Sequence, residues 1–265
     1  MKLGVIYCCY DSLDYLGFLD PWIKLKESLN IKLAGVHGCF EEMASFIEDN
    51  DEETLEQLLQ LRYDGQLDFL YVQNDYPTKV KEKFIYQSEA IIRNYALQWL
   101  LKEGVTHVML LDADEKYSEE EIQKLVKFLE KDNFTAWYSI EFKNLTFSEQ
   151  TYTKSFCPPR IWRVNSSESK IKEIYYDNDI NYTLGAQIVS YKQLSTKKIP
   201  LIICNPLHYT WLNNERSKNK IAYQSRHFAH GAGCSFKWNN EKNSLEWNDE
   251  YFKKTSQIPP KLHTI

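Results

Sequence analysis

The chain has 265 residues, of which 43% are hydrophobic, 26% charged and 14% aromatic. This composition is typical of a globular protein and excludes a disordered, collagen-like or coiled-coil chain. The 32 basic and 37 acidic residues give a formal net charge of −5, so the chain is not a general binder of polyanions.

The sequence contains no sign of export or membrane insertion. No apolar run approaches the roughly 20 residues that a membrane helix requires. The opening segment, Met1–Tyr10, turns polar too soon for a signal peptide and predicts a buried strand instead. The six cysteines contain no C-x-x-C pair, which favours reduced, buried side chains. We therefore expect a cytoplasmic protein without a transmembrane segment.

Strand-like and helix-like stretches alternate over the first half of the chain. This alternation predicts an α/β fold with a mainly parallel, Rossmann-like sheet and helices on both faces. Two local signals support it, a capping-box pattern at Ser118 and Glu121 and a helix-ending glycine at Gly104. The predicted strands are Leu3–Cys9, Ile31–Cys39, Leu67–Gln73 and Val105–Leu111, and the predicted helices begin at Pro21, within the acidic segment 41–56, at Phe84 and after Ser118.

The pattern changes after about residue 131, where polar loops become longer. We expect a smaller, mixed C-terminal region there, within one continuous domain that spans 1–265. Its predicted elements are strands at Thr135–Lys143, Arg160–Val164 and Leu201–Cys204, a helix at 213–228 and a tail rich in loops from Trp238 onward.

The most informative segment is the acidic end of the predicted strand Val105–Leu111. Asp112, Asp114 and Glu115 follow directly after a run of apolar residues. In open α/β sheets the carboxyl ends of the strands form the ligand crevice. Carboxylates so close together need a cation or hydrogen-bond donors to offset their repulsion, and a hard divalent ion is one solution. The alternative is that these acids cap the following helix or form a solvated turn.

Two segments together resemble the GT-A glycosyltransferases, specifically their family 2-like group. They are Ser88–Leu97 (SEAIIRNYAL), which corresponds to the Arg-Asn helix of that group, and Gly104–Glu115 (GVTHVMLLDADE), which corresponds to its D-x-D strand. The resemblance implies a GT-A fold with a nucleotide-sugar-binding half at 1–115 and an acceptor half with a C-terminal extension at 116–265. It also implies a nucleoside diphosphate sugar as donor and Mn²⁺ or Mg²⁺ as cofactor.

The resemblance also implies roles for particular residues. Asp114 would bind the metal directly, and Asp112 would contact the ribose or the water shell of the metal. The segments Cys8–Asp11 and Val36–Glu42 depart from the group's usual Pro-x-Tyr-Asn and Asp-rich turn. The resemblance therefore does not identify the nucleobase of the donor, and our expectation is a UDP-sugar. The residues expected at the nucleotide are Tyr10, Asp11, Arg93, Asn94, Asp112 and Ala113.

A histidine in the C-terminal half is the candidate for a further metal ligand. His208 follows the predicted strand Leu201–Cys204 and precedes a basic segment that contains Arg216 and Lys218. GT-A enzymes often bring a C-terminal histidine back to the metal, and this segment looks similar. A neutral imidazole suits such a site, and the two cations would neutralise the diphosphate. The alternative is a histidine at a strand end that is hydrogen-bonded to a carbonyl.

An inverting transferase also needs a carboxylate base for the acceptor hydroxyl. The candidates are Glu141, in an apolar-flanked stretch, and Asp177 or Asp179, which follow two tyrosines. An Asp-Asn-Asp run also favours a plain surface turn. The residues alone do not separate an inverting from a retaining mechanism, whereas the resemblance favours inversion.

The leading hypothesis is therefore a metal-dependent glycosyltransferase that acts on an acceptor glycan or another hydroxyl-bearing acceptor. A nucleotidyltransferase would need a glycine-rich, basic loop after the first strand, and Cys8–Asp14 has neither glycine nor cation. A catalytically inactive, GT-A-like nucleotide-binding module is an alternative. The basic and aromatic stretch 213–242 keeps a hydroxylated DNA base open as a second acceptor hypothesis.

Overall fold

A computed structural model describes residues 1–10, 12–38, 52–73, 87–132, 134–154, 157–164, 170–172, 187–189, 196–212, 217–222 and 234–265. The strands are β1 (Leu3–Cys9), β2 (Ile31–His37), β3 (Phe69–Val72), β4 (His107–Asp112), β5 (Glu115–Lys116), β6 (Trp137–Ser139), β7 (Lys143–Thr146), β8 (Ser148–Thr153), β9 (Pro159–Arg163), β10 (Lys170–Lys172), β11 (Gln187–Val189), β12 (Thr196–Lys198), β13 (Leu207–His208), β14 (Phe236–Asn239), β15 (Ser244–Trp247) and β16 (His263–Thr264). The helices are α1 (Asp20–Leu25), α2 (Glu52–Tyr63), α3 (Gln87–Lys102), α4 (Glu119–Lys131), α5 (217–222) and α6 (Asp249–Thr255), and a 3₁₀ helix covers Leu13–Leu19.

The main sheet has seven strands in the order β12-β6-β9-β4-β1-β2-β3. Strands β4, β1, β2 and β3 are mutually parallel, β12 is parallel to β6, and β9 is antiparallel to both of its neighbours. The prediction of an α/β fold with a mainly parallel, Rossmann-like sheet is confirmed.

Helices cover both faces of this sheet, as predicted. Side chains alternate along a strand, so neighbouring residues enter different cores. Val5 and Met109 pack with α1, α2 and α4 on one face, whereas Ile6 and Val108 pack with α3 on the other. All four of these side chains are fully buried. None of the described helices has the length and apolar character needed to cross a membrane.

Two local signals in the sequence are confirmed. Ser118 accepts a hydrogen bond from the Glu121 amide, and the Glu121 carboxylate accepts one from the Ser118 amide, so the capping box opens α4. Gly104 follows α3 with a φ of 73°, a left-handed conformation that favours glycine.

A second, mixed sheet of five strands follows the order β16-β8-β7-β13-β5. It matches the smaller mixed C-terminal region that the sequence predicts. The two-residue strand β13 pairs with β5 on one side and with β7 on the other, in antiparallel and parallel fashion respectively. This sheet joins the main sheet at the turn between β4 and β5, which is where the acidic segment lies.

Three predicted elements differ from the structure. Leu201–Cys204 is not a strand, because the amides of Ile203 and Cys204 both donate to the Pro200 carbonyl and close a turn. Thr135–Lys143 is not one strand, since β6 ends at Ser139 after a register shift and β7 starts afresh in the second sheet. The tail is not merely loops, because β14 and β15 form a hairpin that leads into α6.

Candidate functional site

The site is built at the carboxyl edge of the parallel strands. Asp112 is the last residue of β4 and pairs in register with Cys8 near the end of β1. The chain then turns through Ala113 and Asp114 into β5, so the three carboxylates lie where the two sheets meet. Ala113 is 6% exposed and packs in the main core.

Two arginines hold the carboxylate of Asp112. Arg93 Nη2, from α3, lies 2.9 Å from Oδ1, and Arg160 Nη2, from β9, lies 2.7 Å from Oδ2. Arg93 also donates from Nε to Cys8 Sγ at 3.0 Å, which fixes the guanidinium against the end of β1. Burial raises the pKa of Asp112, but the charges of Arg160 and Arg93 outweigh it and hold that pKa below its usual range.

Arg160 bridges Asp112 to a second, deeper carboxylate. Its Nε donates to Glu115 Oε1 at 2.8 Å, and its Nη2 contacts the same oxygen. The Glu115 side chain is fully buried, and this burial raises its pKa to about 8 against the opposing charge of Arg160. The pKa of Arg160 is raised by the two carboxylates despite its own burial, so the guanidinium stays charged. Glu115 and Arg160 therefore form a buried, hydrogen-bonded pair that holds the Arg160 guanidinium against Asp112.

His208 reaches the site from β13, where it pairs with both Glu115 and Asn144. Its Nδ1 lies 2.7 Å from Asn144 Oδ1, and its Nε2 lies 3.6 Å from Asp114 Oδ1. Burial lowers the pKa of His208 to about 4, so the ring is neutral at neutral pH. With the Asn144 carboxamide oxygen as acceptor for Nδ1, the lone pair of the neutral ring is on Nε2, which lies 2.8 Å from Thr210 Oγ1 and 3.6 Å from Asp114 Oδ1.

Thr210 and Lys220 complete this corner. The Thr210 hydroxyl contacts Asp114 Oδ2 and lies 2.8 Å from His208 Nε2, and it can donate its one proton to either of them, while Lys220 Nζ, from α5, donates to Thr210 Oγ1 at 3.1 Å. Burial lowers the pKa of Lys220, and the charges of Asp114 and Asp112 oppose that shift.

The structure brings Arg93, Asp112, Asp114 and His208 together, as the sequence led us to expect. Asn94 is half-buried and follows Arg93 on α3. Tyr10 follows β1 at the same edge of the sheet, and its ring centroid lies 5.4 Å from that of His37 at the end of β2.

Other predicted residues have contacts with residues outside this group. Glu141 is buried and contacts Lys198, and its carbonyl accepts from Asn205. Lys218 Nζ lies 4.9 Å from the centroid of the Trp238 ring. Arg216 and the acids Asp11, Asp177 and Asp179 lie outside the described residues.

Two contributors to the site, Asn144 and Thr210, were not expected from the sequence. Lys220 was expected near the diphosphate together with Arg216 and Lys218, and Arg160 was expected near the acceptor, whereas the structure places Arg160 on Asp112 through the β4–β9 pairing and Lys220 on Thr210 from α5. The mixed signal of an apolar strand with an internal arginine, Pro159–Arg163, is the one local hint that Arg160 faces an acid.

The donor set at Asp114 and His208 fits a divalent cation. Two cis ligands that each lie about 2.1 Å from one ion are separated by about 3–3.5 Å, close to the 3.6 Å between Oδ1 and Nε2. The Asn144 contact is the type of outer hydrogen bond that fixes a ligating histidine. Among the described residues no three Asp, Glu, His or Cys side chains gather into a metal-binding cluster.

The chain was compared with protein families, curated proteins and solved structures. No family model matches the chain, and no curated protein matches it. Among solved structures it is similar to a mannose-1-phosphate geranyltransferase from Thermus thermophilus, with 12% identity and a TM-score of 0.33. The match covers 68% of this chain and 51% of the other, so the chain spans about half the length of that protein.

Proposed function

We propose that the protein is a glycosyltransferase that moves a sugar from a nucleoside diphosphate sugar to an acceptor hydroxyl, with Mn²⁺ or Mg²⁺ held by Asp114 and His208. The observation that carries this proposal is the 3.6 Å approach of a carboxylate to a neutral imidazole nitrogen at the carboxyl edge of a mainly parallel sheet. Ligands of open α/β sheets bind at this edge. Carboxylate, imidazole and nearby cations together suit a metal-bound diphosphate better than any uncharged ligand.

The side chains around this pair have separable tasks. Asn144 orients the His208 ring, and Arg160, which Glu115 holds by a buried hydrogen bond, keeps Asp112 in place. Arg93 and Lys220 supply fixed positive charge next to the carboxylates, which suits phosphate oxygens. When bound, the divalent cation would neutralise the charge that develops on the departing diphosphate.

The acceptor hydroxyl must lose a proton during transfer. We keep Asp177, Asp179 and Glu141 as candidates for the base and inversion as the stereochemical course. Glu141 is ion-paired to Lys198 and would have to leave that partner, which favours the two aspartates.

The donor in this proposal is a UDP-sugar. Tyr10 and His37 form an aromatic pair at the ends of β1 and β2 that is suitable for contact with a base. The acceptor is a glycan or another hydroxyl-bearing molecule. A hydroxylated DNA base stays the minority hypothesis, supported by the Lys218–Trp238 contact in the basic, aromatic stretch.

A screen of nucleotide-sugar hydrolysis tests the proposal. UDP- and GDP-sugars are incubated with the protein and Mn²⁺, Mg²⁺ or EDTA, and the released sugar is measured. We expect metal-dependent hydrolysis of at least one donor, lost in Asp114→Asn and kept in the control Asp64→Asn, an exposed carboxylate that follows α2. Metal-dependent nucleotide binding without turnover of any donor would support the inactive binding module instead. Turnover that Asp114→Asn leaves intact would show that the site is elsewhere.

A further inference from the structure

Lys220 lies among the groups that would hold the cation. It belongs to α5, and its Nζ lies 5.3 Å from the centroid of the Trp211 ring. Trp211 is itself buried in a small cluster with Cys234 and Phe236. The contact with this anchored ring directs the Lys220 ammonium toward Thr210 rather than toward solvent.

One hydroxyl oxygen links this ammonium to both candidate ligands. Thr210 Oγ1 accepts from Lys220 Nζ at 3.1 Å, lies 2.8 Å from His208 Nε2, and contacts Asp114 Oδ2. A threonine hydroxyl has one proton and two lone pairs, so it can accept from Lys220 while it donates to one of the other two groups. The positive charge of Lys220 is thus one hydroxyl away from the carboxylate that would bind the metal.

The described site carries no net negative charge of its own. The carboxylates of Asp112 and Asp114 and the buried carboxyl group of Glu115 face three cationic side chains, Arg93, Arg160 and Lys220. His208 is neutral at neutral pH. A divalent ion that approaches this set without another anion meets a site without net negative charge, and it lies close to the ammonium of Lys220.

We propose that Lys220 is a resident counter-ion of Asp114 that competes with the divalent cation until a nucleoside diphosphate arrives. This inference rests on the proposed function. The phosphate oxygens of the diphosphate carry enough negative charge to interact with Lys220 and the divalent cation at once, so the two positive groups no longer compete for Asp114. The cation therefore enters with the nucleotide and not before it, and by linkage each of the two strengthens the binding of the other.

The test is the affinity of the nucleotide-free protein for Mn²⁺, measured by electron paramagnetic resonance of the free ion. Wild type is compared with Lys220→Met, which keeps the length of the side chain and removes its charge. We expect Mn²⁺ to bind Lys220→Met at least about tenfold more tightly, because a unit positive charge a few ångströms away is gone. The control is Lys237→Met, which removes a lysine that pairs with Glu246 within the β14–β15 hairpin. We expect this variant to leave the Mn²⁺ affinity unchanged.

An equal or weaker affinity in Lys220→Met overturns the proposal. Circular dichroism checks that this variant is folded. If it is not, Lys220→Gln, which keeps a hydrogen-bond donor for Thr210, replaces it with the same two outcomes. The result is independent of the donor screen. A protein that hydrolyses no sugar nucleotide and yet gains Mn²⁺ affinity in Lys220→Met refutes the glycosyltransferase while the counter-ion role stands.

Discussion

Asn144 and His208 face each other from neighbouring parallel strands, with Asn144 Oδ1 2.7 Å from His208 Nδ1. This contact determines which ring nitrogen carries the lone pair. It connects a backbone register, set by the pairing of β7 with β13, to the chemistry available beside Asp114.

Asn144→Ala is expected to weaken Mn²⁺ binding in the presence of UDP by about 10- to 100-fold, because the His208 ring loses the acceptor that orients it. Electron paramagnetic resonance measures the affinity. Asn144→Asp keeps an acceptor at Nδ1 and should bind Mn²⁺ at least as tightly as wild type. If the alanine variant also kept full affinity, the orientation of the ring by Asn144 would be unimportant.

Glu115 is expected to be a major stabilising residue, because Arg160 stays charged in a buried position without it. Removing the partner of a buried charged group costs about 3–5 kcal/mol, so Glu115→Ala, which leaves the Arg160 guanidinium charged, should lower the free energy of unfolding by an amount in that range. Urea denaturation gives the value. The comparison is Glu119→Gln, which removes a surface ion pair with Lys24 and should cost less than about 1 kcal/mol. Similar losses for both variants would contradict a buried role for Glu115.

Acid should destabilise the fold partly through His107, far from the site at the start of β4. Its burial, with the nearby charge of Arg163, lowers its pKa to about 4 from the ordinary value of 6.5. Between pH 6.5 and pH 4 the His107 ring is therefore protonated in the unfolded chain and neutral in the folded chain. The free energy of unfolding is unaffected by this residue above about pH 6.5 and decreases as the pH falls toward 4.

The measurement is the free energy of unfolding as a function of pH for wild type and His107→Gln. We expect the slope between pH 6.5 and 4 to be shallower in the variant, with a difference that sums to on the order of 3 kcal/mol at most. Carboxylates titrate in the same range in both proteins and cancel in the comparison. Parallel curves would show that folding does not lower the pKa of His107.

The central strands and the helices around them could be predicted from local sequence. Leu3–Cys9 is a strand as expected, because a short run of apolar β-formers is typical of a strand that is buried on both faces of a sheet. The capping box at Ser118 located the start of α4, since the hydrogen bonds involved lie within one turn. The acidic edge after β4 was also visible in sequence, because an abrupt change from apolar to charged residues marks the end of a buried strand.

The partners of that edge could not be predicted, because they depend on pairings between distant segments. Arg160 lies 48 residues from Asp112 in the chain and reaches it through an antiparallel strand. Leu201–Cys204 misled the prediction, since it forms a turn in which only the end of the apolar run, Cys204, is fully buried, whereas Ile202 is 81% exposed. His208 was nevertheless expected as a metal ligand. The sequence placed the strand before it at Leu201–Cys204, whereas in the structure His208 itself belongs to the strand β13, which begins at Leu207.

The most direct test of a metal-held diphosphate at Asp114 and His208 is the binding of UDP and GDP, measured by isothermal titration calorimetry with Mn²⁺ and with EDTA. We expect one nucleotide to bind in Mn²⁺, EDTA to abolish or strongly weaken this binding, and Asp114→Asn to do the same with Mn²⁺ present. Nucleotide binding that is equal in Mn²⁺, in EDTA and in Asp114→Asn would contradict a metal-held diphosphate at Asp114 and His208.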